Sequence, residues 1–270
     1  MLRTSVRRTA WSAGGPLALL AGVALTLLGA SPAAAADIIG CPYTITTRDV
    51  YIVEADLVSA GLPGAATCIK VLSGGSDSII YLNDHFLTGP ARTTGVNAQD
   101  YGIQVSFMAS GVVIQGPGTI RRFYAGIEFD SATRDTVRSV TLTENQVHGV
   151  TVNGSSDIVL DSNTAHDNGG LGFTLNNSTN CVLQSNTAYS NGPGTGFGLF
   201  GADSNVLQLN TAYSNGNGIT LGSGSNDNII HDNDSHNNLN HDLEDQNLNC
   251  DSNHWLNNHF GTSNQPACIQ

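Results

Sequence analysis

A short glycine-containing pattern governs where apolar residues fall along this chain. Glycine is followed by an apolar, a variable and a second apolar residue, as in GVTV from Gly149 and GFTL from Gly172. Further copies begin at Gly102, Gly126, Gly196 and Gly218, and a degenerate copy, NHDL, begins at Asn240. Successive copies are 24, 23, 23, 24, 22 and 22 residues apart. A near-constant period of this size predicts a solenoid or a related repeat array.

Each period contains three short extended segments. The unit from Gly149 reads GVTV, DIVLDSN and TAHDN, and the next unit reads GFTL, CVLQSN and TAYSN. Asparagine and glycine separate the segments, and steps such as Asn191-Gly192 are typical of turns. The segments are rich in Thr, Ser, Val and Ile and poor in helix-forming residues. Each unit is therefore predicted to hold three strands joined by turns.

Two other repeat architectures fit this pattern less well. Leucine-rich repeats share the period, but they have a denser leucine frame and often a helical segment in each repeat. Left-handed hexapeptide helices need about 18 residues for each coil. The sequence therefore predicts an all-β fold. Because parallel strand connections are overwhelmingly right-handed, that fold is a single-stranded right-handed parallel β-helix with roughly nine coils of 22–24 residues.

Stacked coils place equivalent residues above one another, about 4.8 Å apart. One predicted core column contains Leu160, Leu183, Leu207, Ile230 and Trp255. Two asparagine columns are predicted at turns: Asn163, Asn186, Asn210 and Asn233 form one, and Asn145, Asn168, Asn191, Asn215 and Asn238 form the other. We expect these asparagines to adopt left-handed backbone geometry and to bond to the asparagines above and below them.

The first 36 residues have the order of a secretory signal peptide. A basic start is followed by the apolar run from Pro16 to Ala30 and by the small-residue stretch SPAAAA. Cleavage is expected after Ala36, which leaves residues 37–270 as one secreted β-helix domain without a membrane span. The Arg7-Arg8 pair resembles a twin-arginine signal, and the general secretory route remains the alternative.

The charge distribution excludes one class of partner. Removing residues 1–36 takes away three of the ten basic residues, so seven remain against 22 acids and the net charge is −15. Every remaining Lys and Arg lies at or before Arg138. Nucleic-acid binding needs cations that displace counterions from phosphates, so we expect no nucleic-acid partner. The same argument disfavours polyanionic sugars in the C-terminal half, unless a metal ion bridges the charges.

Five cysteines in an exported chain favour disulfides with one thiol left over. Cys41 and Cys68 lie near the start of the mature chain, and Cys250 and Cys268 lie near its end. We predict pairing within each of these two sets, with Cys181 as a buried free thiol. Sequence alone leaves the other pairings open.

The periodic Gly-Ile-x-Leu and Asn-Thr-Ala-x-x-Asn units resemble the pectin-lyase-like superfamily of right-handed β-helices. They look most like the secreted right-handed β-helix repeat proteins of actinobacteria, with some likeness to NosD-type proteins. The segment YLNDHFLTGP, from Tyr81, is similar to a family segment in which Gly is usual where Asp84 stands. The stretch CDSNHWLNNHFGTSNQPACI, from Cys250, is similar to the closing coil of the family.

The resemblance covers nearly all of the mature chain and implies the fold rather than one activity. Its members include lyases, hydrolases, epimerases and noncatalytic proteins, and the NosD likeness implies copper-enzyme maturation. No residue set matches the active sites of pectate lyases, polygalacturonases or alginate epimerases, so none is transferred to this chain.

One column of the repeat alternates between histidine and tyrosine. His166, Tyr189, Tyr213 and His236 follow inward small residues, so alternation turns these rings outward. Rings about 4.8 Å apart on an open face are candidates for binding sugars. Stabilisation of the β-helix face by stacked rings is the alternative.

Catalytic candidates cluster in the coil that contains Gly126. Glu128 and Asp130 are predicted to point outward, near Arg121, Arg122, Arg134 and Arg138. Carboxylates beside arginines are suited to acid–base work on a glycosidic or uronate substrate, with Glu128, Asp130 and Arg134 as the residues involved. The alternative is a surface ion-pair patch.

The segment from His231 to Asp245 is dense in histidines and acids but has no defined ligand spacing. We interpret it as a solvated acidic loop and predict no metal site and no cofactor. Calcium, which oxygen ligands suit, is the alternative.

These observations give two hypotheses for a secreted, monomeric protein. The first is a β-helix protein that binds or processes extracellular polysaccharide along one face, which as an enzyme would be a polysaccharide lyase, glycoside hydrolase or epimerase. The second is a noncatalytic structural or adhesion protein of the cell surface.

Overall fold

The computed structural model describes residues 35–59, 67–90, 99–248 and 251–269. Within these ranges the chain forms three parallel sheets, and each coil contributes one strand to sheet B, then to sheet A, then to sheet C. A 3-10 turn at Ser73–Gly75 is the helical element of the described part. This confirms the all-β, right-handed parallel β-helix of about nine turns that the repeat predicts.

The strands are short, and the bounds of each are as follows. Sheet A contains β1 (Ala36–Ile38), β3 (Val50–Val53), β6 (Ile79–Tyr81), β9 (Val113–Gln115), β12 (Thr136–Arg138), β15 (Val159–Asp161), β18 (Val182–Gln184), β21 (Val206–Gln208), β24 (Ile229–His231) and β27 (His254–Leu256). Sheet B contains β2 (Tyr43–Ile45), β5 (Ile69–Val71), β8 (Tyr101–Val105), β11 (Ala125–Asp130), β14 (His148–Asn153), β17 (Phe173–Asn176), β20 (Thr195–Phe200), β23 (Asn217–Leu221) and β26 (Leu243–Asp245). Sheet C contains β4 (Leu57–Val58), β7 (Phe86–Thr88), β10 (Thr119–Arg121), β13 (Thr141–Thr143), β16 (Thr164–His166), β19 (Thr187–Tyr189), β22 (Thr211–Tyr213), β25 (Asp234–His236) and β28 (His259–Phe260).

From β6 onward, the middle residue of each three-residue strand in sheets A and C points into the solenoid and packs on its counterparts in the neighbouring coils. Leu160, Leu183 and Leu207 pair in register, followed by Ile230 and Trp255, which confirms the predicted core column. The rings of Phe173 and Phe197 stack in the interior at 5.0 Å between centroids. Burial of these apolar side chains is the main favourable contribution to folding.

Both predicted asparagine columns lie in the interior as hydrogen-bonded ladders. Asn186 is typical of their members. Its Oδ1 accepts from the main-chain N–H of Asn163 at 2.9 Å and from Asn163 Nδ2 at 3.0 Å. Its Nδ2 donates to Leu160 O at 2.8 Å and to Asn210 Oδ1 at 3.1 Å. Each asparagine thereby satisfies main-chain groups that the turn would otherwise bury without a partner.

The expected left-handed geometry belongs to the residue before each ladder asparagine, not to the asparagine itself. Ser162, Ser185 and Leu209 have φ values of 57°, 54° and 55°. In the second column the corresponding residues are Glu144, Asp167 and Ser190. The prediction was wrong on this point because the asparagine side chain is hydrogen-bonded inside the solenoid. The preceding residue therefore adopts the left-handed geometry and projects outward.

A third ladder was not predicted. Asn205, Asn228 and Asn253 bond to one another at the turn from sheet B to sheet A. The polar dipeptides that end at these positions, such as Ser204-Asn205, repeat those of the other two ladders and were the available signal.

In an earlier coil, Asp135 occupies the turn position that the asparagines of this third ladder occupy later in the chain. Its side chain has 0% exposure, and Oδ1 accepts the main-chain N–H of Val112 at 2.7 Å. Its Oδ2 is buried without a hydrogen-bond partner. Burial raises the pKa of Asp135 to about 7, although the Val112 hydrogen bond and the charge of Arg134 act in the opposite direction.

The acidic segment near the C-terminus is not uniformly solvated, which corrects the predicted loop. Asp242 is buried, and its Oδ1 accepts from Asn238 Nδ2 at 2.9 Å, which ends the second ladder. Asp245 is also buried and accepts from Trp255 Nε1 at 3.1 Å. His231 lies nearer the surface and pairs with Asp232 at 2.8 Å. The buried acids therefore serve as hydrogen-bond acceptors in the last coils.

The cysteine predictions are largely confirmed. Cys41 and Cys68 form a disulfide, and Cys181 is a buried free thiol. Cys268 is disulfide-bonded, and its predicted partner Cys250 lies outside the described residues. Residues 1–34, which contain most of the predicted signal peptide, also lie outside them, and β1 begins at Ala36. Among the residues described, no helix has the length and apolar character needed to cross a membrane.

We predict that Asn186→Ala lowers the free energy of unfolding by about 3 kcal/mol or more, since it leaves buried groups of Asn163 and Leu160 unpaired. Urea denaturation checks this. Ser185→Asn is the control, because it alters the exposed left-handed residue of the same turn and suits that backbone geometry. Equal unfolding midpoints for Asn186→Ala and the control would contradict the role of the ladder.

We also predict that Asp135→Asn stabilises the protein at alkaline pH. The pKa of Asp135 is higher in the folded state than in the unfolded state, so folding retains a proton between pH 4 and 7 and stability falls as pH rises through that window. Asparagine removes this loss, and its Nδ2 is placed to donate to a carbonyl of the preceding coil, as in Asn205 and Asn228.

The expected gain for Asp135→Asn is roughly 2–4 kcal/mol at pH 8 and small at pH 4. Thermal denaturation of both proteins across this range measures it. The same pH slope in the two proteins would show that Asp135 is not the titrating group.

Candidate functional site

A polar cavity of about 380 Å³ opens on the outer face of sheet B near the N-terminal end of the described chain. Its lining includes Thr67, Lys70, Tyr101, Gln104, Glu128 and Asp130. Strand alternation explains this composition, because Ile127 and Phe129 point into the core while Glu128 and Asp130 point outward. We call this the Glu128 cavity. It brings together Glu128 and Asp130, two of the three residues predicted to be catalytic.

Register places three polar side chains in one column beneath the cavity. Lys70 pairs with Gln104 along the sheet, and Gln104 pairs with Glu128. Tyr101 lies on β8, and Asn153 lies on β14 beside Asp130 in register. Sequence reasoning missed Lys70, Tyr101, Gln104 and Asn153. Alignment of CIKV, GIQV and GIEF by their apolar positions would have revealed the column that contains Lys70 and Gln104.

Glu128 is held by amide donors in a largely dehydrated position. Its Oε1 accepts from Asn153 Nδ2 at 3.0 Å, and its Oε2 accepts from Gln104 Nε2 at 3.5 Å. Only 7% of its surface is exposed. Burial raises the pKa of Glu128, and the charge of Asp130 adds to the rise, while hydrogen bonds from Tyr101, Asn153 and Gln104 limit it. Glu128 is therefore a carboxyl group that binds a proton more readily than usual.

Tyr101 is not suited to act as a base. Burial, followed by its hydrogen bond to Glu128, raises the pKa of the Tyr101 phenol far above its ordinary value. The phenol consequently keeps its proton and acts as a hydrogen-bond donor to the carboxylate. Its ring also contacts Tyr124 edge to face, with 6.2 Å between centroids, which fixes its position at the side of the cavity.

The arginines expected near Glu128 lie on other parts of the coil. Arg134 follows β11 and donates from Nη2 to Ser110 Oγ at 3.1 Å. Arg121 lies on sheet C over the ring of Phe86, and Arg122 pairs with Glu144. Among the described residues, Lys70 is the cation that lines the cavity. Sequence proximity was misleading because one coil has three faces that point in different directions.

The histidine and tyrosine column is present on the outer face of sheet C. Parallel pairing places His166, Tyr189, Tyr213 and His236 in register. The rings are parallel to within 6°, with 4.8, 5.0 and 5.6 Å between successive centroids. His236 and His259 both contact Asp234 Oδ1 through Nδ1, at 3.0 and 2.9 Å.

Stacking determines what this column offers to a ligand. Tyr189 and Tyr213 each have a neighbouring ring against both faces, so those faces are engaged within the protein. Offset stacking of this kind stabilises adjacent coils. The rings consequently present edges rather than faces, and a sugar ring would meet hydroxyl and imidazole groups. Binding by this column stays a prediction.

Residues 67–265 match the family described as "Periplasmic copper-binding protein (NosD)". The chain belongs to the NosD family. No curated protein matches this NosD-family chain.

Several solved structures share the fold with low sequence identity. The periplasmic alginate epimerase AlgG has a TM-score of 0.60 and 13% identity over 80% of this chain and 51% of its own. The enzymatically active domain of tailspike protein 2 from bacteriophage CBA120 has a TM-score of 0.56 and 16% identity, covering 81% of this chain and 38% of its own. The catalytic domain of a GH87 α-1,3-glucanase has a TM-score of 0.52 and 17% identity, covering 77% and 41%.

This NosD-family chain thus spans about half or less of the length of these structures. At identities below a fifth, the likeness establishes the parallel β-helix fold and leaves activity to be argued from the site.

The family description implies copper, which proteins bind through histidine, cysteine, methionine and carboxylate side chains. Across residues 35–59, 67–90, 99–248 and 251–269, no group of three His, Cys, Asp or Glu side chains is arranged to hold a metal ion. Burial raises the pKa of the Cys181 thiol to about 11, which keeps it protonated and unlike a thiolate ligand. These residues do not form a copper centre, and no chemical step is assigned to copper.

We predict opposite shifts of the Glu128 pKa in two variants. Asp130→Asn lowers it because a neighbouring negative charge is removed, and Asn153→Ala raises it because the carboxylate loses a donor. Carbon-13 NMR titration of labelled glutamate side chains measures both shifts. Asp157→Asn, at another corner of the coil, is expected to leave the titration unchanged, and shifts of one sign in all three variants would contradict the assigned environment.

Proposed function

We propose that this protein is exported and hydrolyses an extracellular polysaccharide at the Glu128 cavity. The observation that carries the proposal is the unequal environment of two carboxyl groups on β11. Glu128 is buried with a raised pKa, whereas Asp130, two residues along the same strand, is exposed. Glycoside hydrolysis uses two carboxyl groups in unlike environments, of which the buried one is suited to donate a proton.

Each carboxyl group has one role in the proposed reaction. Glu128 gives its proton to the glycosidic oxygen as the bond from that oxygen to the anomeric carbon breaks. Asp130 takes a proton from a water molecule, whose oxygen bonds to the anomeric carbon. Asp130 acting as the base on water, with no covalent intermediate, is the reaction of an inverting hydrolase.

The neighbouring side chains support this division of roles. Tyr101 and Asn153 hold the Glu128 carboxyl group at the side of the cavity through hydrogen bonds. Lys70 supplies a positive charge to a site in an otherwise acidic protein, which allows an acidic or a neutral sugar at this end of the solenoid. The edges of the ring column lie on sheet C, a different face, and their hydroxyl groups are suited to contact a bound chain farther along.

The names of the structural neighbours favour a carbohydrate substrate. An alginate epimerase and an α-1,3-glucanase are built on the same fold, and the glucanase was solved with tetrasaccharides. The periplasmic family and the signal-like N-terminus favour a location outside the cytoplasm. These comparisons raise the expectation for glycans as a class, and the carboxyl pair provides the reason for hydrolysis.

We predict that Glu128→Gln lowers the rate of reducing-end release from a responsive polysaccharide by at least about 100-fold, because the proton donor is lost. Binding of the polysaccharide is expected to persist. Glu244→Gln is the matched control. Glu244 lies on sheet B and accepts hydrogen bonds from Asn217 and Thr220 outside the cavity, so its loss should leave the rate unchanged.

A panel of neutral and uronate polysaccharides, assayed for reducing ends and for unsaturated products, tests the substrate class. Unsaturated products would show that the reaction at this cavity is elimination and not hydrolysis. Absence of both binding and turnover across the panel would contradict the proposal and favour a noncatalytic structural or adhesion role, for which the self-stacked rings of sheet C provide a rigid face.

A further inference from the structure

A second cavity, of about 550 Å³, lies at the corner where the chain turns from sheet C to sheet B. Its lining includes Arg122, Glu144, Asp167, Asn168, Ser190 and Gly192. This corner cavity shares no lining residue with the Glu128 cavity. Its volume is in the range of pockets that hold small ligands.

The backbone of the second asparagine ladder creates the lining. Glu144, Asp167 and Ser190 occupy the left-handed position before successive ladder asparagines, so all three side chains leave the solenoid at one corner. Coils repeat at about 4.8 Å, which brings two carboxyl groups and a hydroxyl group into one short column.

Close approach of two coils requires glycine at one position of the lining. Gly192 has a φ of 41°, and a Cβ atom there would lie 2.7 Å from Gly169 O. A side chain at this position would therefore clash with the preceding coil as well as strain the backbone. Glycine therefore lets the coil of Ser190 approach the preceding coil closely at this corner.

The charges of the corner cavity do not balance. Arg122 Nε contacts Glu144 Oε2 at 2.7 Å, which neutralises one carboxylate. Asp167 is exposed, and His166 Nδ1 lies 2.7 Å from its Oδ2. The Asp167 side chain lines the cavity and is exposed to solvent there. The surroundings add negative charge, because twelve acids and no Lys or Arg follow Arg138 in the sequence.

We propose that the corner cavity binds an amino sugar, with the ammonium group against Asp167 Oδ1 and the hydroxyl groups against Ser190 and the Arg122–Glu144 pair. An ammonium group matches the unbalanced carboxylate and the acidic surroundings. Hydroxyl groups match a lining that offers both donors and acceptors. The ring edges of His166 and Tyr189, on the adjoining face, extend the surface for a second residue of an oligomer. This inference does not depend on hydrolysis at the Glu128 cavity.

The test measures binding of a β-1,4-linked glucosamine tetramer to the purified chain by isothermal titration calorimetry at low ionic strength. The N-acetylated tetramer and spermidine serve as comparison ligands. We expect the glucosamine tetramer to bind at least about tenfold more tightly than either, because only it combines ammonium and hydroxyl groups. Asp167→Asn is expected to weaken its binding at least about tenfold.

Asp157→Asn is the matched control, since Asp157 is also an exposed left-handed residue and its change removes one charge at a different corner. Asparagine suits this backbone geometry, so both variants should fold. An equal loss in the two variants would overturn the site in favour of general charge attraction. Equal binding of spermidine would overturn the amino-sugar assignment, as would absence of binding. Glu128→Gln should retain full affinity, which separates this result from failure of the proposed hydrolysis.

Discussion

The interior asparagine ladders are the constraint on which this solenoid depends. Each coil must turn three times, within 22–24 residues in the regular repeats, and each turn directs main-chain N–H and C=O groups toward an interior that contains apolar side chains. An asparagine side chain can donate and accept at once, so one residue satisfies groups on two coils. Asn163, Asn186 and Asn210 show how this repeats without a break. The apolar strands provide burial, but the amides allow the chain to turn between them.

This constraint separates the residues that shape the rod from those available for chemistry. The asparagine is held inside, and the residue before it must adopt left-handed geometry and face solvent. Serine, aspartate, glutamate and leucine all occur at that position, which shows that the turn tolerates varied side chains. The outward strand positions are similarly unconstrained, and Glu128 and Tyr213 occupy two of them. A regular scaffold therefore carries variable surface columns, as expected for a fold that hosts many activities.

The repeat could be predicted from the sequence, whereas the residues of the site could not, and the reason is physical. Leu160 and Leu183 are one period apart and occupy one column, so periodicity alone predicts their contact. Lys70 and Gln104 also occupy one column, but 34 residues separate them, and the pattern in that region is irregular. Arg134 is near Glu128 in sequence but belongs to another side of the coil. Contacts between columns depend on the path of each turn, which composition and period do not specify.

The orphaned carboxyl oxygen of Asp135 has a consequence for how the rod comes apart. In a solenoid, stability is a sum of contributions from each coil and from each interface between neighbouring coils. One ladder position with an unpaired polar atom therefore weakens a single interface and leaves distant interfaces intact. The weakened interface joins the coil of Asp135 to the coil of Val112. We infer that the solenoid separates first at this interface as the pH rises through the titration of Asp135, with Arg134 and Arg138 on the C-terminal side.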